Sequence, residues 1–227
     1  MSLSLEPNVP KSLPIKEYLR FEGTDEDWKD LLDLIYIKPS VTVIIGGKGS
    51  GKTGLGTSLT ETACAKNKDD FYSVSFGKPF PKFVKQVPKL KYVPNNANCF
   101  CDEAWLTLPT NINRSKMGMA VTGLMATAIH QDLRFKFSVQ NSYLLMLNAI
   151  RLLDVLIIKE PSLFQVQTER KGIDMYCRRA KEEFMKIKKS ERVKYAYVVS
   201  GDYEGMVVNK LPSFWSNEIR KSFRRMA

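Results

Sequence analysis

The sequence of 227 residues holds one histidine, His130, and four scattered cysteines, Cys64, Cys99, Cys101 and Cys177, with no C-x-x-C pair among them. Cys99 and Cys101 alternate on an apolar stretch and read as small core residues rather than metal ligands, which fits a reduced, cytoplasmic setting. His130 stands alone and reads as structural. No long hydrophobic run is present: the most apolar segment, residues 143–158, is broken by Asn148, Arg151 and Asp154, so no membrane span is expected. Residues 1–14 lack the basic-then-apolar layout of a signal peptide. Internal repeats and low-complexity tracts are also missing. What remains is a chain that is 44% hydrophobic and long enough for one sizeable domain.

Charge of one sign is in excess. The formal net charge is +11, and from Glu169 onward 15 Lys/Arg face 8 Asp/Glu. A polyanion partner, nucleic acid first, is one reading. A solvated, soluble surface is the other, and charge alone leaves both open.

The chain is organised around Gly46-Gly47-Lys48-Gly49-Ser50-Gly51-Lys52-Thr53, followed by Gly54, which fits the phosphate-binding pattern G-x-x-x-x-G-K-[ST]. Its context matters more than the letters. Residues 41–45 are β-branched and apolar and read as a buried strand. Residues 52–65 lack proline and suit a helix that opens at the loop. Strand, glycine turn and helix N-terminus together make an anion site, because unpaired backbone N–H groups and the helix dipole point at the phosphate. Lys52 then reaches the β- and γ-phosphates of a nucleotide, and the Thr53 hydroxyl holds Mg²⁺.

A second signature is a short apolar strand over 98–101 that ends in Asp102-Glu103. Asp102, at the strand's carboxyl end, belongs in the Mg²⁺ shell, and Glu103 sits where a carboxylate can take a proton from an attacking water. A further strand over 133–139 ends at Gln140-Asn141. The Gln140 amide either senses the γ-phosphate or begins a turn.

The other elements follow from periodicity and punctuation. Residues 1–40 read as an arm with one short helix over 25–37. Residues 71–76 alternate as a second strand, and 77–91 is a surface connection. Loop and long helix cover 110–131, a short helix 143–152, and a strand 154–159. Residues 164–167 alternate and are expected to form an edge strand. A basic amphipathic helix is expected over 172–190, a hairpin over 195–199 and 205–208, and a final helix over 213–225. This divides the chain into an arm (1–40), a nucleotide-binding core (41–170) and a basic C-terminal extension (171–227) packed on the core.

Together these motifs resemble the FtsK–HerA superfamily of DNA-pumping ATPases over residues 41–161, about half the chain. The carriers are GGKGSGKT, CFCDEAW, AIHQDLRFKFSVQNS and NAIRLLDVLIIKEP. Within the superfamily the chain looks most like compact genome-packaging ATPases of double-stranded DNA viruses, and it is similar to the zonula occludens toxin-like family. The resemblance implies an α/β P-loop fold with a mostly parallel core sheet flanked by helices, the P-loop strand near its middle. It implies ATP and Mg²⁺ as cofactors, Gly51, Lys52 and Thr53 as nucleotide and metal residues, Asp102 for magnesium, Glu103 as general base and Gln140 as sensor. It further implies a ring, typically of six subunits, that moves double-stranded DNA, with a capsid or portal protein as a further expected partner. The toxin-like relatives leave a second reading open, an assembly or secretion ATPase that remodels protein at a membrane. Two departures count. The chain has no room for the barrel or winged helix of the larger pumps, and Ile129 stands beside His130 where many relatives carry arginine. The arginine that acts on a neighbouring subunit is therefore sought among Arg151, Arg134 and Arg114, in that order.

Overall fold

A computed structural model describes residues 14–74, 79–102, 123, 125–144 and 147–221. In chain order it contains β1 (Lys16–Glu22), α1 (Asp25–Tyr36), β2 (Ser40–Ile45), α2 (Lys52–Asn67), β3 (Phe71–Val74), β4 (Val84–Gln86) and β5 (Asn98–Cys101). There follow β6 (Arg134–Val139), α3 (Leu147–Arg151), β7 (Val155–Ile158), α4 (Leu163–Thr168), α5 (Ile173–Met185), β8 (Tyr195–Ser200), β9 (Tyr203–Val208) and α6 (Asn217–Lys221). The strands form one sheet in the order β1-β9-β8-β7-β2-β6-β5-β3-β4. The six strands from β7 to β4 run parallel, and β8, β9 and β1 add an antiparallel edge. This is an α/β P-loop fold with β2 fifth of the nine strands, as expected. Among the described residues no helix is long and apolar enough to cross a membrane.

The side chains alternate between two core layers. Val41, Val43 and Ile45 of β2 face a cluster completed by Phe135, Phe137 and, from α5, Cys177, Ala180 and Phe184. Ile44 faces the opposite cluster with Leu55, Leu59 and Ala63 of α2 and Leu31 and Ile35 of α1. Cys99 and Cys101 are fully buried and unbridged, the small core residues their spacing suggested.

The two helices on that second face begin differently. α1 opens with a capping box, in which Thr24 Oγ1 accepts from Asp27 N at 3.2 Å and Thr24 N donates to Asp27 Oδ2 at 2.6 Å. α2 is buried from Lys52 through Cys64 except at Thr53, although six of its residues are serine, threonine or glutamate. Its hydroxyls are made compatible with burial by donating back along the helix: Thr57 to Thr53 O, Thr60 to Gly56 O and Thr62 to Ser58 O, at 2.7–3.0 Å. Gly56 allows close packing on β5, since a Cβ there would stand 2.1 Å from the Phe100 ring.

Several expectations are corrected. Residues 164–167 are not an edge strand: they lie in α4, because Ser162 caps the helix by accepting from Gln165 N at 3.0 Å. Four alternating residues fit either period, and the cap decides. The N-terminal arm contributes β1, a charged edge strand beside β9, and the 77–91 connection contains β4. Helix 172–190 stops at Met185, and helix 143–152 is a 3-10 turn at Ser142–Leu144 followed by α3. The single sheet runs through all three expected segments, since β1 and the β8–β9 hairpin extend it. Most of the expected 110–131 helix lies outside the described residues.

Lys136 is the anomaly of this core. It sits mid-strand in β6 and is fully buried near Cys64 and Cys99, with Arg134 the nearby cation. Its Nζ has no hydrogen-bond partner among the described residues. Burial pushes its pKa down to about 8. A folded pKa below the unfolded 10.5 means that the folded state binds fewer protons between those values. The penalty is therefore full below pH 8 and is relieved as pH rises toward 10.5. Lys136→Met, which keeps the shape and removes the orphan, should raise stability by about 1–3 kcal/mol at pH 7. Urea unfolding should show that advantage shrinking toward pH 10. A variant less stable than wild type at pH 7 would mean that Nζ has a partner in solution.

Candidate active site

β2 ends at Ile45, in the middle of a sheet and buried on both faces, and the chain must turn there into α2. The turn uses backbone that only glycine takes easily: Gly46, Gly49 and Gly51 have φ of +153°, +79° and +94°. Gly46 is also a close approach, since a Cβ would lie 2.8 Å from Lys159 Cβ and 2.9 Å from Ser50 Oγ. Gly51 is the N-cap of α2 and supplies no side-chain cap; the first helical bond is Leu55 N to Gly51 O at 3.0 Å. The N–H groups ahead of Leu55 are thus without helical acceptors, at the positive end of the helix dipole. Ser50 Oγ is buried without a partner among the described residues. Lys48 and Gly49 are exposed at the tip, and Gly47 is half-buried.

Lys52 is 7% exposed and folds back over this loop, its Nζ donating to Gly46 O at 2.9 Å and Gly47 O at 3.1 Å. Next to it Thr53 Oγ1 lies 3.1 and 3.0 Å from Asp102 Oδ1 and Oδ2. Asp102 follows β5, its N–H continues the pairing to Val74 O at 3.3 Å, and its side chain is buried. Ser138 of β6 donates to Asp102 Oδ1 at 2.5 Å. One hydroxyl from the P-loop helix and one from the neighbouring strand therefore hold a single carboxylate. This donor set fits Mg²⁺, which takes few protein oxygens and completes its shell with phosphate and water. No cluster of three or more His, Cys, Asp or Glu suited to a metal occurs among the described residues.

The remaining expected residues divide. Glu103 and Arg114 lie outside the described residues. Gln140 is exposed at the carboxyl end of β6, and its loop is held from below. Gln165 Nε2 donates to Gln140 O at 2.9 Å and to Glu169 Oε2 at 3.2 Å, while Ser142 N donates to Glu169 Oε1 at 2.7 Å. Arg134 is not available to a neighbour: 6% exposed, it binds Ile37 O, Asp69 and Asp132 at the amino-terminal end of β6. Arg151 ends α3, three residues before Asp154, whose carboxylate accepts from Val41 N at the start of β2. That is the end of the sheet opposite the loop, so Arg151 does not serve its own P-loop. His130 is exposed in a turn.

Two residues were missed. Ser138 is the last polar residue of a strand that alternates Phe-Lys-Phe-Ser-Val, a signal present in the sequence. Lys159 gives no such signal. It follows β7, is fully buried beside Gly46, and its Nζ donates to Val193 O at 2.7 Å, Tyr195 O at 2.5 Å and Asn209 Oδ1 at 3.2 Å. Burial pushes its pKa down to about 7, against which three acceptors favour the ammonium.

No protein-family model matches the chain, and no curated protein matches it by sequence. Solved structures do match. The DNA-packaging ATPase B204 of Sulfolobus Turreted Icosahedral Virus is 16% identical with a TM-score of 0.56, over 77% of this chain and 98% of its own. The genome packaging NTPase B204 of Sulfolobus turreted icosahedral virus 2, in complex with ATP-gammaS, is 14% identical with a TM-score of 0.53, over 76% and 98%. The pCW3 conjugation coupling protein TcpA is 12% identical with a TM-score of 0.50, over 84% and 66%. At such identities the likeness establishes the fold, and it falls on the kinds of protein that the motifs resemble.

The three acceptors around Lys159 make a test. Lys159→Met strands two backbone carbonyls and the Asn209 amide, so stability should fall by about 1–3 kcal/mol, opposite in sign to Lys136→Met. Denaturant unfolding of both variants checks the pair. A stabilising Lys159→Met would mean that those bonds do not offset the burial of the charge.

Proposed function

We propose that the chain is an ATPase that moves double-stranded DNA through a ring of subunits, typically six, and packages a viral genome. The observation that carries the nucleotide part is the convergence of Lys52, Thr53, Asp102 and Ser138 at the carboxyl ends of adjacent parallel strands, beside an uncapped helix. A triphosphate takes the donors that Lys52 gives to Gly46 and Gly47, together with the N–H groups ahead of Leu55. Thr53 and Asp102 would hold Mg²⁺, which supplies charge neutralisation on the β- and γ-phosphates. Ser138 fixes the Asp102 carboxylate so that it need not reorganise. Glu103, adjacent in sequence, takes the proton of the attacking water, and Gln140 orients that water or the γ-phosphate. Arg151, remote from its own loop, is the first candidate to serve a neighbour's.

The DNA part is supported by similarity of fold to packaging ATPases and by the basic C-terminal segment. Six cations there are paired with carboxylates: Arg178, Arg179, Lys181, Lys186, Arg192 and Lys194. Lys171, Lys188, Lys189, Lys210 and Arg220 make no ion pair among the described residues and are the cations left for phosphates. Arg224 and Arg225 lie outside the described residues and are equally suited to a capsid or portal protein. The host cytoplasm is the expected setting.

Two measurements test this reading. Glu103→Gln should keep ATP binding and lower turnover by about 10²–10⁴-fold, whereas Lys52→Ala should remove most nucleotide affinity. Duplex DNA should raise phosphate release, with binding indifferent to sequence and a salt slope of about −0.9 per phosphate contacted. Wild-type turnover in Glu103→Gln removes that residue as base. Absence of DNA binding at low salt with ATPase intact favours the protein-remodelling reading instead.

A further inference from the structure

The phosphate cradle has an apolar rim that the reaction does not use. Thr53 faces Asp102, so the metal and the terminal phosphates belong on the β5–β6 side of the α2 N-terminus. Gly51 and Gly54, on the same helical turn, face other neighbours. A Cβ on Gly51 would stand 3.0 Å from Val193 Cγ2, and one on Gly54 would stand 2.8 Å from Leu211 Cδ2 and 3.7 Å from Trp215 Cη2 and Cζ2. Gly54 is also the last residue before the first helical N–H donor, Leu55. The rim therefore meets the cradle where the phosphate chain would leave it.

These side chains are not loose surface. Val193 rides on the Arg192–Lys194 turn, anchored by Lys159 Nζ on Val193 O and by Arg192 on Glu160 at 2.8 Å. The 211–216 segment straps across α2. Ser213 N donates to Oε2 of the buried Glu61 at 3.0 Å, and Ser213 Oγ donates to Oε1. Phe214 inserts among Phe71, Phe80 and Phe83, with ring centroids 5.4–6.3 Å away. Trp215 N donates to Pro212 O at 3.1 Å. Despite this anchoring, Val193 and Leu211 remain about half exposed (48% and 55%), and Trp215 is half-buried. A segment pinned this firmly could bury its apolar side chains; these stay partly open beside Gly51 and Gly54 of the cradle.

We propose that Val193, Leu211 and Trp215 form the subsite for the nucleobase, an aromatic ring packed on the indole and the two aliphatic side chains. The inference rests on the P-loop holding a nucleoside triphosphate. Stacking is tolerant of base identity because every base has a π-face. Asn209, two residues before Leu211, is engaged elsewhere, accepting from Lys159 at 3.2 Å. The subsite thus rewards a base without reading its edge, and ATP and GTP should bind alike.

Calorimetry on the full chain with MgATP, MgGTP and magnesium tripolyphosphate separates this inference from the reading beneath it. Wild type should bind both nucleotides about 5- to 150-fold more tightly than tripolyphosphate, the usual worth of stacking one base. Trp215→Ala should remove most of that preference and leave tripolyphosphate affinity unchanged, which also shows that the variant is folded. Trp215→Phe should retain most of it. Equal affinity of wild type for ATP and tripolyphosphate, or an equal loss for both ligands in Trp215→Ala, overturns the base subsite while the phosphate cradle stands. A preference for ATP over GTP above about tenfold overturns base-tolerant stacking, since only edge contacts discriminate so strongly. Should neither nucleotide nor tripolyphosphate bind, the cradle itself fails and the subsite with it.

Discussion

The first turn of α2 has to present unsatisfied N–H groups at the end of a strand that is walled in on both faces, and residues on every side answer to that demand. The backbone can turn so sharply only through left-handed glycines, of which Gly51 is the helix cap itself. Lys159 packs against Gly46 from below, and its buried ammonium requires acceptors. Those acceptors draw in the start of β8 and the end of β9, so the antiparallel edge of the sheet is tied to the floor of the loop. From above, Leu211 closes on Gly54 and Phe100 lies under Gly56. α2 is thus enclosed, which explains a helix rich in threonine whose hydroxyls bond inward to its own carbonyls.

Two fully buried lysines show how differently the same side chain can be accommodated. Lys159 extends from the carboxyl end of β7 into a ring of oxygen atoms that matches the three donors of an ammonium. Lys136 lies mid-strand, where the sheet's own carbonyls are spent on neighbouring strands and the facing helix offers none. The position decides: strand ends have open carbonyls and turn backbone within reach, strand centres do not. Nothing in the fold explains the retention of Lys136.

The parallel core was legible because its strands are short, apolar runs followed by groups that chemistry requires, such as Ile45 before the glycines and Cys101 before Asp102. Elements without that coupling were harder to read. β1 is charged along much of its length, so no periodicity marks it, and only pairing with β9 makes it a strand. α4 is capped by a serine that follows a proline, and its Phe-Gln-Val-Gln over 164–167 mimics the alternation of an edge strand. At the candidate site, the glycine turn and the meeting of Thr53 with Asp102 were legible because a motif with fixed spacing carries them. Lys159 and the Glu169–Gln165 support of the Gln140 loop were not, since their meaning depends on contacts between segments more than 20 residues apart.

Counting charge overstates the field this surface projects. Several of the C-terminal cations face carboxylates a few ångströms away, and Arg170 lies over the Tyr143 ring at 4.9 Å while bonding Ser142 O. A neutralised pair has little reach beyond a Debye length, so the cations without such partners matter most. Lys188 and Lys189 stand out by position. They follow α5, their loop is tied down by Arg192 Nε on Ile187 O at 2.9 Å and Glu191 N on Lys188 O at 2.8 Å, and it leads into the turn that carries Val193. That turn touches Gly51 on one side and supplies an acceptor for Lys159 on the other. A polyanion held at Lys188 and Lys189 is therefore joined to the floor of the P-loop by one short, hydrogen-bonded stretch of chain. Such a stretch has few internal freedoms to absorb a displacement. On the proposed function, it is a direct physical connection between DNA phosphates at Lys188 and Lys189 and the phosphate cradle.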